Sequence, residues 1–250
     1  MISKNLKDKI SRNFTLAAST YHKVALEQKN CAQILVHNLV KSFPLLSPNK
    51  ILDIGSGTGF VTEELLRYYP NARFYLNDIS KGMLIKAQKC LKEKQNFSFI
   101  CGDAEYLDFD QYDLMISNFS FQWFNNLKVA MTRYSKKTKT LAFTTLLEGS
   151  LAKWSRLYKS LNLMPPTFPY PKEEEILKII NEIQVKSSVF SKKSFIKRFD
   201  SQLSCAKYFK QLGANTHFNH SQYSHLKTLI EKREPIEIEY KVFFAILNFH

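Results

Sequence analysis

A chain of 250 residues, 44% of them hydrophobic, is long enough to bury a sizeable core as one domain, and its net charge of +14 raises nucleic acid, anionic membranes and acidic proteins as partners. Lysine dominates the 36 basic residues, and Phe, Tyr, Ile and Asn are plentiful too, as an AT-rich genome imposes on any protein, so the charge alone does not argue for nucleic acid. Four scattered cysteines without a Cys-x-x-Cys pair point to free thiols and a cytoplasmic protein rather than a zinc or disulfide framework, and neither a membrane span nor a signal peptide is expected.

The first strong signal runs from Ile51 to Gly59. Apolar Ile51, Leu52 and Ile54 read as a buried strand, and Gly55, Gly57 and Gly59 let the backbone turn sharply beside a ligand. Phe60, Val61, Leu65 and Leu66 then have helical spacing, so the turn presents a helix N-terminus to a crevice. Phe60 occupies the place where a dinucleotide fingerprint needs a small residue, and the Gly-Lys-Ser/Thr of a P-loop is absent. What remains, Asp53 followed by alternate glycines, suits a ligand with an amino-acid end and a ribose but no phosphate.

A second strand, from Arg73, ends at Asp78, 25 residues beyond Asp53, where a carboxylate can take both ribose hydroxyls. A helix is expected from Lys81 to Lys94, with Asp78 a competing candidate for its N-cap. A third strand, from Phe97, closes on Gly102-Asp103. Three strands ending in acids line up at the carboxyl edge of a parallel sheet, where open α/β sheets bind ligands. Tyr112 to Asn118 is a fourth strand, Leu127 to Tyr134 a helix, and Thr140 to Leu147 a fifth strand. Ser150 is expected to cap a helix from Leu151 to about Leu161.

The proline-rich stretch Met164 to Pro171 leads into an inserted cap. Helices follow at Glu173 to Ile183, at Ser201 to Leu212 with Gly213 as its stop, and at Ser221 to Glu231. Between them, Lys192 to Arg198 interleaves cations with Phe190, Phe195 and Phe199, and reads as a strand with Phe195 buried and the lysines wet. From Ile236 to Leu247 apolar residues alternate as in a half-buried strand. His217, His220 and His225 lack nearby carboxylates and thiols, so no metal site is expected, and His22 and His37 read as ordinary helix-face residues.

Asp53 to Gly59 is similar to the first motif of the class I S-adenosylmethionine-dependent methyltransferases. Ser117 to Trp123, Leu141 to Leu151 and Phe209 to His217 narrow the resemblance to the malonyl-[acyl-carrier protein] O-methyltransferases of biotin synthesis, and Phe14, Ala17, Ala18, Tyr21 and Gln28 follow that family's N-terminal segment. The resemblance implies a Rossmann-like α/β fold whose mostly parallel seven-stranded sheet has an antiparallel last strand between strands five and six. It implies one domain over 1–250, with a helical lid at 1–45, a cofactor-binding half at 46–150, and a cap with C-terminal strands at 151–250. It implies S-adenosyl-L-methionine held by Asp53, Gly55, Gly57, Gly59, Asp78, Ile79, Met83, Asp103, Ala104 and Asn118, with Tyr21, Gln122 and Trp123 at the substrate.

One departure is the turn from Ser135 to Thr140, which lacks the glycine usual in the family. The implied reaction methylates the free carboxylate of malonyl-acyl carrier protein, an acidic partner, by a monomeric enzyme. That carboxylate is ionised at neutral pH, so no catalytic acid or base is assigned; a cation is expected to orient it, with Arg12, Arg156 and Arg198 as candidates. An RNA-modifying protein and a respiratory-complex assembly factor are the alternative readings.

Overall fold

The structure is a computed structural model that describes residues 4–91, 96–160, 162–165, 167, 169–214 and 234–249. Two helices open the chain, α1 (Lys4–Val24) and α2 (Leu26–Ser42). There follow β1 (Lys50–Ile54), α3 (Phe60–Leu65), β2 (Arg73–Asp78), α4 (Lys81–Cys90), β3 (Phe97–Cys101), β4 (Tyr112–Asn118), a short 3-10 turn (Phe121–Trp123), α5 (Leu127–Ser135) and β5 (Thr138–Leu146). The remainder is α6 (Ala152–Lys159), α7 (Glu173–Glu182), β6 (Ser187–Phe199), α8 (Gln202–Leu212) and β7 (Ile236–Asn248). The expected helix from Ser221 to Glu231 and the three histidines near it lie outside the described residues.

The seven strands run in the order β3-β2-β1-β4-β5-β7-β6. β1 to β5 are parallel, and β7 lies antiparallel between β5 and β6, as the alternating last segment led us to expect. The alternation has a direct consequence: Ile238, Tyr240, Val242, Phe244 and Ile246 enter the core on the face covered by α2, α3, α4, α6 and α8, while Phe243, Ala245 and Leu247 enter the one under α5 and α7. Helices on both faces bury each central strand twice, which is why β1, β4 and β5 read as nearly continuous apolar runs. α1 stands apart from the two face layers and packs against α4 and α8 across the carboxyl ends of the strands.

Several local expectations change. Ser150 caps no helix: its hydroxyl accepts from Lys241 N–H at 3.0 Å and donates to Lys241 C=O at 3.2 Å, fastening the segment after β5 to β7. Leu151 precedes α6 in the left-handed region at φ 56° without a side-chain cap, and Leu151 N–H instead donates to Glu239 C=O at 2.8 Å. Ser80, not Asp78, caps α4, accepting from Met83 N–H at 3.2 Å. Serine fits because Asp78 is already engaged by Gly57 and Ser80 N–H groups.

The turn before β5 needs no glycine, since no residue in it has a positive φ. On the edge strand β6, Phe195, Lys197 and Phe199 share the half-buried side, so Lys197 is not on the wet face. It reaches inward to Glu27 at 2.8 Å and lies over the Tyr208 ring, where an ion pair and an aromatic face replace water.

Candidate active site

The ends of β1, β2, β3 and β4 surround a cavity roofed by α1. Its floor is the glycine turn. Gly55 has φ +64°, and a Cβ there would lie 2.2 Å from Ser120 Oγ, so the loop after β4 closes on bare backbone. Gly57 N–H donates to Asp78 Oδ2 at 2.9 Å, Ser80 N–H donates to Asp78 Oδ1 at 2.7 Å, and Ser56 N–H donates to Asn77 C=O at 2.8 Å. The β2 end and the glycine turn therefore fix one another. Burial outweighs these N–H groups and pushes the Asp78 carboxyl up to about 6.

Of the residues implied by resemblance, Gly55, Gly57, Asp78, Ile79, Met83, Asp103, Ala104 and Asn118 line this cavity, together with Tyr21 and Trp123. Asp53 and Gly59 do not. Gly59 backs onto Leu91, and Asp53 lies beneath the floor, 1% exposed, accepting from Thr62 Oγ1 at 2.7 Å on one oxygen while the other has no partner. Burial pushes its carboxyl up to about 7, the Thr62 hydrogen bonds opposing and the Asp78 charge adding to the shift. Asp103 reaches the cavity already committed: Oδ2 pairs with Lys7 at 3.1 Å and Oδ1 accepts from Glu105 N–H at 3.1 Å.

Sequence reasoning missed Lys7, Ile10, Asn77 and Ser120. Lys7, Ile10, Phe14 and Tyr21 fall on one face of α1 at helical spacing and line the cavity, a period that was available in the sequence. α1 is held there by Lys7 on Asp103 and Glu105, by Ser11 Oγ donating to Ile79 C=O at 2.9 Å, and by a 2.8 Å hydrogen bond between the Thr15 and Ser80 hydroxyls. Asn77 donates to both Ile100 and Gly102 C=O at 3.0 Å and so ties the ends of β2 and β3 together.

A second cavity of about 610 Å³ lies toward α6 and α8. Phe14, Tyr21, Phe119 and Trp123 line both, forming an aromatic collar where the two meet. Phe14 stands edge-on to Trp123 at 5.7 Å, and Phe119 takes φ 54°. Phe119 N–H donates to Thr144 Oγ1, whose hydroxyl donates to Asn118 Oδ1 at 2.7 Å, while Asn118 Nδ2 donates to Gln28 C=O at 2.9 Å. Asn118 thus braces the collar as well as lining the first cavity. Gln122 belongs to the second cavity; its Nε2 donates to Phe119 C=O at 2.6 Å and its Oε1 has no partner.

None of the three arginines proposed to clamp the substrate lines either cavity. Arg12 is on the outer surface of α1, Arg156 faces a shallow surface pocket with Glu237 and Glu239, and Arg198 on edge strand β6 pairs with Glu237 at 2.6 Å. Their positions follow from helix and strand period: each is on the wet side of its element. Among the described residues no cluster of three metal-ligating side chains exists.

The family described as a methyltransferase domain matches residues 51–139, the segment that builds the floor and walls of the first cavity. Across nearly its whole length the chain is 32% identical to the malonyl-[acyl-carrier protein] O-methyltransferase of Neorickettsia risticii, covering 96% of each sequence. The chain belongs to this family. A second member, malonyl-[acyl-carrier protein] O-methyltransferase 1 of Ilyobacter polytropus, is 30% identical over 84% of this chain and 79% of its own length.

Solved methyltransferases share the fold at low identity. The magnesium protoporphyrin IX methyltransferase of Synechocystis with bound S-adenosylhomocysteine superposes with a TM-score of 0.56 at 16% identity, covering 91% of this chain and 85% of the other. The plantazolicin methyltransferase in complex with the same ligand gives 0.55 at 16% identity, covering both chains fully. These relatives favour neither the RNA-modifying nor the assembly-factor reading.

Proposed function

We propose that this malonyl-[acyl-carrier protein] O-methyltransferase family member transfers the methyl group of S-adenosyl-L-methionine to the free carboxylate of malonyl-acyl carrier protein, in biotin synthesis. The observation that carries the reading is the pair of cavities joined at an aromatic collar. One side offers a buried carboxylate, Asp78, and backbone at Gly55 and Gly57, which suits a ribose diol and an amino-acid end; Ile79 and Met83 offer apolar walls for a flat base. The collar offers aromatic faces, which favour a positively charged sulfonium. When bound, S-adenosyl-L-methionine supplies the methyl on that sulfonium; this chain's residues position and dehydrate.

The acceptor needs no activation. A malonyl carboxylate is ionised at neutral pH, so the protein's part is to hold one oxygen in line with the methyl and keep water away. Masking that charge as an ester lets the chain be elongated as an ordinary acyl group. The partner is a soluble acidic carrier in the cytoplasm, consistent with four unpaired cysteines and with exposed Lys153, Arg156 and Lys159 along the outer side of α6. Mass spectrometry of malonyl-carrier protein incubated with the enzyme and S-adenosyl-L-methionine is the test: a methyl ester on the malonyl group is expected. An unmodified carrier beside methylated RNA or protein would overturn the reading.

A further inference from the structure

The second cavity carries polar atoms that nothing in the protein satisfies. Trp154, on the inner side of α6, is 1% exposed; its indole stacks on Phe209 at 5.5 Å and meets Tyr158 edge-on at 5.1 Å, which fixes the ring. Its Nε1 has no hydrogen-bond partner, and neither has Oε1 of Gln28 or Oε1 of Gln122. All three side chains line the same cavity, and among the described residues lining it there is no lysine, arginine, histidine or carboxylate. A buried donor and two buried acceptors left without partners on residues that line one chamber are costly unless a ligand there completes them.

We propose that this chamber receives the acyl arm of the acceptor and that uncharged donors, with Trp154 Nε1 as the anchor, hold its carboxylate. The inference rests on the malonyl reading above and replaces the arginine clamp. Tyr21 and Tyr170 line the same space, and burial pushes both hydroxyls well above the ordinary tyrosine range, so they stay protonated donors. Tyr240 is different: its hydroxyl donates to Tyr208, which donates to Glu27, and it offers the chamber only an acceptor. The open oxygens of Gln28 and Gln122 suit the amide N–H groups of the pantetheine arm that bears a carrier thioester.

The reaction itself favours such a site. One carboxylate oxygen forms the O–CH3 bond while the electron pair of the breaking methyl–sulfur bond stays on sulfur; no proton moves, and a negative and a positive charge disappear together. A guanidinium would stabilise the full carboxylate charge more than the partly neutralised transition state, and so lower the rate it is meant to raise. Neutral donors orient the oxygen with less of that penalty, and a dry pocket leaves it more nucleophilic.

The experiment uses malonyl-pantetheine, which omits carrier docking. Trp154→Phe keeps an aromatic ring and removes the donor. It is expected to lower kcat/KM for malonyl-pantetheine at least about tenfold, the worth of one hydrogen bond to a charged group. Binding of S-adenosylhomocysteine by calorimetry should be unchanged. Arg12→Gln, Arg156→Gln and Arg198→Gln should retain the wild-type rate on this substrate. An unimpaired Trp154→Phe enzyme, or loss of rate in one of the arginine variants, would overturn the proposal.

Should Trp154→Phe fail to fold, the wild type still decides. The chain has two tryptophans, so its spectrum holds two indole N–H signals, assigned with Trp123→Phe. The Trp154 signal should move downfield when malonyl-pantetheine is added with S-adenosylhomocysteine, and an unmoved signal at saturation sinks the idea. A wild type that makes no methyl ester counts against the malonyl reading; an active wild type with an indifferent Trp154 counts against this inference alone.

Discussion

The two cavities differ in how the chain builds them. The floor of the glycine-floored one is made by strand ends, with contacts between residues near in the chain, as Gly57 to Asp78 or Asn77 to Gly102, and only its α1 roof is tied by distant pairs such as Lys7 to Asp103. The chamber beyond the collar gathers α1, α2, α6, α8 and β7, with contacts between elements far apart in the chain, such as Phe119 against Tyr240 at 6.2 Å. The first carries carboxylates that are engaged; the second is lined by no carboxylate among the described residues, and its lining includes buried polar atoms without partners. The floor of the first cavity is a local feature of the fold, whereas the second cavity is a product of tertiary packing.

The largest expected effect falls on the local site. At Gly55 an alanine meets a left-handed backbone and a Ser120 side chain 2.2 Å from its Cβ. Strain and overpacking of this kind together cost roughly 2 to 5 kcal/mol, so Gly55→Ala should weaken S-adenosylhomocysteine binding about a hundredfold. Adding Ser120→Gly should recover part of the loss, because it removes the clash and leaves only the backbone strain. Equal affinity for wild type and Gly55→Ala would break the claim that this cavity binds the cofactor at all.

Asp78→Ala comes next. Removing the charge-assisted hydrogen bonding to the ribose, worth about 1.5 to 3 kcal/mol net, gives a loss of at least about tenfold in cofactor affinity by calorimetry. The same change made to Asp103 should cost less, since a single contact to the adenine amino group is at stake there rather than a pair to the ribose. If Asp103→Ala proved the more damaging of the two, the ribose and adenine ends would have to be exchanged.

This asymmetry also explains what could be read from sequence. Asp53 to Gly59, Asp78 and Gly102-Asp103 are short patterns whose meaning survives without a structure, and they placed the strands, the turn and the mouth of the cavity. They did not reveal that Asp53 turns below the floor, because a strand's alternation gives a side and not a depth. The acceptor chamber was legible only by resemblance at Tyr21, Gln122 and Trp123. Trp154 sits in an ordinary amphipathic helix with Tyr158 four residues on, which reads as core, and only the packed structure, with the indole stacked on Phe209, shows that its Nε1 is left without a partner. The arginine candidates failed for the complementary reason: charge chemistry suggested them, and helix and strand period had already turned them to solvent.

The buried acids give a third, smaller effect. Asp53 and Asp78 both have folded-state values raised above the ordinary carboxylate range, to about 7 and about 6. A folded state that binds protons more tightly than the unfolded chain loses stability as pH rises through that window. The cofactor-free protein should therefore melt lower at pH 8 than at pH 5.5, and Asp53→Asn should flatten the dependence, each kcal/mol being worth about 2 to 4 °C in Tm for a chain of this size. Thr62 can still donate to an asparagine oxygen, so the variant should fold. Parallel melting curves for the two proteins would show that Asp53 is already ionised in the folded state across this range, as it is in the unfolded chain.

The smallest expected effect distinguishes the inside of α6 from its outside. Trp154 and Tyr158 are buried on the inner side of α6, with Trp154 lining the chamber, while Lys153, Arg156 and Lys159 are exposed on the other side of the same helix. Exposed cations steer an acidic partner over a distance set by the Debye length, about 8 Å at physiological ionic strength, and their effect is on encounter rather than on chemistry. Activity on malonyl-carrier protein should thus fall a few-fold as salt is raised to physiological levels, whereas activity on malonyl-pantetheine should barely change. Lys153→Gln with Arg156→Gln should reproduce the salt effect at low ionic strength on the carrier substrate only. Lys153 already pairs with Glu237 at 3.2 Å, so Arg156 should account for most of the change. If both substrates responded equally to salt, the outward charge of α6 would have no part in partner capture, and the division of labour across this helix would reduce to the indole alone.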